Sequence, residues 1–180
     1  MDTLLLSESE LAQAAASVMA RCDQLAGISC DLPRLSRFYL TPEHRQANDL
    51  VGTWMKTAGL VVWEDAAGNL WGRYPAVAGT SGEPIKRLVL GSHLDTVPNA
   101  GRYDGMLGVL AALAAIEQLA KAGIGLPFHV DIVGFGDEEG SRFGTTLLGS
   151  RAVAGSWQDD WWALTDAEGT TLREAFEQFG

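Results

Sequence analysis

The strongest constraint on this chain is a strand, loop, helix, strand order in its middle. "RLVLG" (87–91) is an apolar run without polar alternation, as in a strand covered on both faces. Residues 105–122 are rich in Ala and Leu nearly all round, which predicts a helix packed on more than one side. "PFHVDIVGFG" (127–136) reads as a second buried strand. Together they predict a βαβ crossover, a parallel pair with a right-handed connection. The expected class is α/β: three-layer, with a mostly parallel sheet flanked by helices.

Other elements follow from local signals. Ser7 and Glu10 have capping-box spacing at the start of a helix reaching Ala26. Thr41 is the expected N-cap of a second helix, with Pro42 at its first position and Gly59 at its end. "LVVWEDAAGNLWGRYP" (60–75) predicts a hairpin turning over Asp65–Asn69. "AVAGTSGEP" (76–84) reads as a flexible connection, and 137–155 as a loop followed by a short helix.

A chain of 180 residues suits one domain with its own core. Its formal charge of −10 and the lack of a basic stripe argue against nucleic acid and anionic membranes as partners. The longest apolar stretch, Met106–Ile116, is too short to span a bilayer. "MDTLLLSES" lacks a basic n-region and a cleavage pattern, so no signal peptide is expected. Cys22 and Cys30 are expected as free, buried thiols of a cytoplasmic protein.

The chemistry gathers after the two central strands. In open α/β sheets, ligands bind at the carboxyl ends of strands. The crossover brings "GSHLDTV…YDG" and "GDEEG" to one edge, with His93, Asp95, Asp104, Asp137, Glu138 and Glu139. Five acids beside one imidazole would repel one another unless cations joined them. Imidazole with carboxylate suits zinc, manganese, cobalt or nickel better than magnesium or calcium. His93 and Asp95 point the same way in extended chain, so Asp95 can orient the imidazole. Of two adjacent glutamates, one can ligate while the other serves as a general base. On the residues alone a second reading stands: a solvated acidic rim, with His93 capping a strand end.

"GSHLDTVPNAGRYDGMLGVLAAL" with "GFGDEEGSRFGTTLLGSRAVAG" resembles the two-metal amidohydrolases of the aminoacylase and carboxypeptidase superfamily. The likeness is greatest to the branch of allantoate amidohydrolases, N-carbamoyl-L-amino-acid hydrolases and β-ureidopropionases. It extends to "RCDQLAGIS", "WMKTAGLVVWEDAAGNLWGRY" and "LVLGSHLDTV". The resemblance implies that His93, Asp104 and Glu139 bind two divalent ions, Asp104 bridging them. Zinc or manganese is expected, with cobalt or nickel as alternatives. It also implies Glu138 as the catalytic base and Asp95 as the group orienting His93. The implied reaction is hydrolysis of a non-peptide C–N bond in a small ureido substrate. Allantoate comes first, and N-carbamoyl-L-amino acids or β-ureidopropionate second.

By the same resemblance, residues 1–180 correspond to the N-terminal portion of the catalytic domain, so the sheet is incomplete. The lid and dimerisation domain and the rest of the catalytic domain lie outside this sequence. So do the histidines that supply each ion's third ligand, and the full-length parent is expected to be a homodimer. A reading of another class is a non-catalytic fragment or interaction module keeping the front half of the fold. His44 is expected in a surface or capping role, and His129 on the sheet face away from the site. Trp157 to Trp162 ("WQDDWW") are read as core aromatics of the longer parent, orphaned here as an exposed patch, and Arg142 and Arg151 as surface ion-pair partners, with a substrate carboxylate as the alternative. No GxSxG, GxxxxGK[ST] or GxGxxG pattern offers another enzyme class.

Overall fold

Ser7 starts the first helix as its spacing predicts, with the reciprocal Ser7–Glu10 capping box formed around α1 (Glu8–Ala26). The computed structural model describes residues 6–77 and 84–180. Thr41 caps α2 (Pro42–Thr57), its hydroxyl accepting the His44 N–H at 3.3 Å. A hairpin of β1 (Val61–Glu64) and β2 (Leu70–Tyr74) follows. The Asp65 carboxylate organises its turn by accepting the amides of Ala67 and Asn69. Then come β3 (Arg87–His93), α3 (Met106–Lys121) and β4 (His129–Phe135). The chain ends with α4 (Leu148–Val153), a 3-10 turn (Asp159–Ala163) and α5 (Leu172–Phe179). Residues 78–83 of the expected connection, and residues 1–5 of the segment read for a leader, lie outside the described residues.

The layered α/β class and the βαβ unit are both present. β3 and β4 pair in parallel, from Arg87 opposite His129 to His93 opposite Phe135, with α3 crossing between them. Over these four strands the sheet is mixed rather than mostly parallel, in the order β1-β2-β4-β3. The hairpin accounts for the difference. A short turn forces β1 and β2 antiparallel, and β2 then pairs antiparallel with β4.

The sequence reading made β3 the most covered strand, and the structure corrects this. β3 is an edge of the described sheet, with Leu88 46% and Val89 50% exposed. Of the two inner strands, β2 and β4, it is β4 that is buried continuously, from Val130 to Gly134. An apolar run signals burial on both faces only where a neighbour also covers the strand's edge.

One core joins α1, α2 and α3 to a single sheet face. It contains Cys22 and Leu25, Val51 and Met55, Leu110 and Leu113, and Val130 and Ile132. The buried positions on α3 recur at Met106, Val109, Leu110, Leu113 and Ile116, the stripe of a helix seated on a sheet. Arg21 of α1 donates to Glu117 of α3 at 2.8 Å. The other face carries Trp63 stacked on Trp71, and Arg73 bonded through two nitrogens to buried Asp131. A second cluster holds Tyr39, Phe143, Leu148, Trp161 and Leu172 together at the chain's end. Trp161 is buried there, and half-buried Trp157 and Trp162 pack against each other and Phe176, so the run is packed within this chain instead of forming an orphaned patch. Cys22 and Cys30 are both free, but only Cys22 is buried; Cys30, on the irregular segment after α1, is exposed.

Candidate metal centre

Two loops build the site, one leaving β3 and one leaving β4. The first places His93 at the buried end of β3 and Asp104 just before α3. Next to Asp104, Gly105 adopts φ +72° and ψ −58°, the centre of a tight γ-turn in which the Met106 N–H donates to the Asp104 carbonyl at 2.9 Å, and a positive φ favours glycine there. Any side chain there would also strike the His93 ring, since a Cβ would lie 2.5 Å from its Cε1 and Nδ1. The loop can therefore press against the imidazole only because residue 105 has no side chain.

Ligand-type atoms of His93, Asp104 and Glu139 all lie within 4.8 Å of one another. His93 Nε2 is 3.9 Å from Asp104 Oδ1 and 3.8 Å from Glu138 Oε2. On the ring's other side, Nδ1 lies 3.0 Å from the Asp95 carbonyl oxygen. A carbonyl only accepts, so Nδ1 carries a proton, and Nε2 is the ring nitrogen that faces the carboxylates. One imidazole nitrogen facing carboxylate oxygens, from two loops, is a donor set that fits a first-row divalent cation.

The expected role of Asp95 is met by a different atom. Its carboxylate stands 3.7 Å from Nδ1, beyond hydrogen-bond range, and the main-chain carbonyl holds the ring instead. The carboxylate accepts the backbone N–H groups of Glu138 and Glu139 at 3.2 and 3.3 Å. Asp95 thus fastens the loop after β3 to the loop after β4.

Burial pushes the Asp95 carboxyl up, against the pull of His93 and the two amides. Glu139 is also raised, first by burial and then by Asp104, Glu138 and Asp95, with His93 opposing. Asp137 is pushed up to about 8 by burial and by Asp95, with Arg142 opposing. Both Asp137 oxygens are buried without a hydrogen-bond partner among the described residues. This concentration of like charge with so few internal cations is what a bound cation would relieve.

Four of the expected residues, His93, Asp104, Glu138 and Glu139, surround one point, with Asp95 behind His93. His44 is fully buried rather than at the surface, and stacks on Phe179 at 5.0 Å. His129 accepts the Ala76 N–H at 3.0 Å, at the far end of β4 from the site. Arg142 does more than pair at the surface, because it donates to Asp166 and to the carbonyls of Tyr39 and Leu40. Arg151 lies over the Trp161 ring. The residue that sequence reading passed over is Arg37, buried beneath the first loop. Its only signal was an arginine at the end of an irregular segment between two helices.

Residues 89–176 match the family described as "Peptidase family M20/M25/M40". An N-carbamoyl-L-amino acid amidohydrolase of Geobacillus stearothermophilus is 44% identical over 81% of this chain and 35% of its own length. An allantoate deiminase of Arabidopsis thaliana is 38% identical over 89% of this chain and 30% of its own. A solved hydantoinase/carbamoylase family amidase from Burkholderia ambifaria superposes with TM-score 0.82 at 36% identity, covering 92% of this chain and 40% of that one. The chain spans about a third of the curated relatives it matches. Among the described residues, no helix is long and apolar enough to cross a membrane.

Proposed function

We propose, from the membership of residues 89–176 in peptidase family M20/M25/M40, that this chain is the front part of a metal-dependent amidohydrolase of non-peptide C–N bonds. The observation that carries the reading is the meeting of His93, Asp104 and Glu139 within 4.8 Å from two separate loops. These three residues would hold the ions. Two divalent ions, zinc or manganese, would polarise the scissile carbonyl and make water acidic enough to attack at neutral pH.

The chain's own groups do the rest. Glu138, whose Oε2 stands 3.8 Å from His93 Nε2, would take a proton from the attacking water and return it to the leaving nitrogen. Asp95 holds His93 in its Nδ1–H form through the carbonyl and holds both glutamates through the carboxylate. The substrate is a small ureido compound, allantoate first and an N-carbamoyl-L-amino acid second, as the names of both kinds of relative suggest, with β-ureidopropionate as a further candidate. His44 and His129 lie away from the centre, so the remaining ligands would come from polypeptide beyond this sequence. The lid and dimerisation domain would come from there too, in a homodimeric cytoplasmic enzyme.

Calorimetric titration with manganese and zinc, beside Asp104→Ala, tests the centre. Binding lost in Asp104→Ala supports it, and binding equal in both proteins defeats it. Ammonia release from allantoate in the presence of manganese, lost in Glu138→Gln while metal still binds, supports the reaction. A chain that binds metal but gives no product from any of the three substrates supports the non-catalytic module.

A further inference from the structure

Arg37 is wholly buried, on the irregular segment between α1 and α2, and among the described residues none of its hydrogen-bond partners is a carboxylate. Burying a cation without an ion pair is costly unless its N–H groups are well used. Here all three nitrogens donate. Nε donates to the Leu94 carbonyl at 2.7 Å, and Nη1 to the Leu25 and Ile28 carbonyls at 2.8 Å each. Nη2 lies 2.9 Å from Met106 Sδ.

The location of these partners is informative. The Leu94 carbonyl belongs to the residue between His93 and Asp95. Met106 opens α3, two residues after Asp104. Arg37 also pairs with Thr96 through its main chain, donating to Thr96 Oγ1 and accepting the Thr96 N–H, both at 2.8 Å. One residue therefore grips the chain on both sides of Asp95 and at the exit from Asp104. The Leu25 carbonyl lies in the last turn of α1, which has no basic side chain of its own, so the guanidinium supplies the cation that a helix C-terminus favours. Burial lowers the Arg37 guanidinium to about 10 and Asp95 opposes this, so Arg37 stays charged at neutral pH.

We propose that Arg37 is a positioning residue that sets the spacing between the His93–Asp95 turn and the Asp104–Met106 helix start, and so the spacing of two metal ligands. The proposal rests on the metal-centre reading above. Lysine would keep the charge but lose the planar fork that reaches three carbonyls and a thioether at once.

The test compares the parent chain with Arg37→Lys, Arg37→Met and Thr96→Val. Leu113→Ala, a core deletion two turns along α3, is the control for general loosening. Folding is verified by circular dichroism, hydrogen exchange is followed over residues 93–106, and zinc and manganese affinities are measured by calorimetry. Faster exchange is expected in the 93–106 segment of the Arg37 variants, with a smaller rise in Thr96→Val. A tenfold to hundredfold loss of metal affinity is expected, roughly the range for groups that orient ligands, while Leu113→Ala keeps the parent affinity. If both Arg37 variants fail to fold, Thr96→Val decides. Parent-like exchange over 93–106 in the folded variants, or equal loosening there in Leu113→Ala, overturns the proposal. A parent chain that binds neither metal defeats the metal-centre reading instead, and the exchange comparison still decides the role of Arg37.

Discussion

Asp95 accepts the backbone N–H of Glu139 through Oδ2 at 3.3 Å, while its Oδ1 accepts that of Glu138 at 3.2 Å. A buried carboxylate used in this way is a clasp between two loops. Asp95→Asn tests it, since the amide keeps the shape but turns one acceptor into an N–H facing another N–H. Stability should fall by about 1–3 kcal/mol, the penalty of a buried unsatisfied donor. Metal affinity should fall with it, because Glu138 and Glu139 are no longer held toward His93. Thermal melts and calorimetry on the same preparations check this. An Asn variant as stable and as tight as the parent would show that the two amides are satisfied in another way.

Gly105→Ala should damage the site from the other side. It combines a positive φ with a Cβ placed 2.5 Å from the His93 ring. So sparsely populated a backbone conformation alone costs roughly 1–3 kcal/mol for a residue with a side chain. The clash adds to that cost by turning the imidazole away from Asp104. In a double-mutant cycle with His93→Ala the stability losses should be less than additive, because removing the ring relieves the contact. Additive losses by urea unfolding would locate the damage in the backbone alone.

The pH dependence of stability should contain a contribution from His44. Its Nδ1 accepts the Leu40 N–H at 3.1 Å, and its ring is enclosed by Tyr39 and Phe179. Burial, with Arg37 and Arg45 nearby, lowers it from 6.5 to about 3. The unfolded chain therefore binds a proton that the folded chain refuses. The stability owed to neutral His44 is complete above the unfolded value and drains away as pH falls from 6.5 toward 3. A displaced pKa is worth about 1.36 kcal/mol for each pH unit, so the effect is large enough to see by urea unfolding between about pH 7.5 and 4. His44→Gln should be less stable at the upper end of that range but lose less on acidification, and parallel curves for the two proteins would contradict the assignment.

What could be read from sequence, and what could not, follows from the range of the forces involved. Ser7, Thr41 and the crossover were legible because caps and periodicity act within a few residues. The meeting of His93, Asp104, Glu138 and Glu139 was legible because a βαβ unit brings both loops to one edge. The antiparallel entry of β2 beside β4 was not, since strand order is decided by tertiary packing. Arg37 was hidden for a related reason: its partners Leu25, Leu94 and Met106 are main-chain or thioether atoms, and such atoms leave no pattern in side-chain identity. The two roles of Asp95 show the same limit. Its position beside His93 could be inferred, but which of its oxygens faces the ring depends on where β4 delivers the amides of Glu138 and Glu139.

Asn69 offers the last test, behind the Glu138–Glu139 loop. It is fully buried in the hairpin turn, and its Oδ1 accepts the Gly136 N–H at 2.9 Å. Its Nδ2 donates to Asp65 Oδ2 at 2.9 Å and to the Gly149 carbonyl at 3.1 Å. Gly149 comes so close that a Cβ there would lie 2.1 Å from Asn69 Oδ1. Hairpin, β4 end and α4 are therefore joined through one amide. Asn69→Ala removes both halves of it and should cost about 1–3 kcal/mol for the stranded buried groups. Asn69→Asp should be worse at neutral pH, although it is closer in shape. It keeps an acceptor for Gly136 but sets a carboxylate oxygen against the Asp65 carboxylate and the Gly149 carbonyl, where a donor is required. Urea unfolding of the two variants ranks them directly. If Asn69→Asp proved the more stable, the donating half of the amide would matter less than its acceptor, and the junction would rest on Gly136 alone.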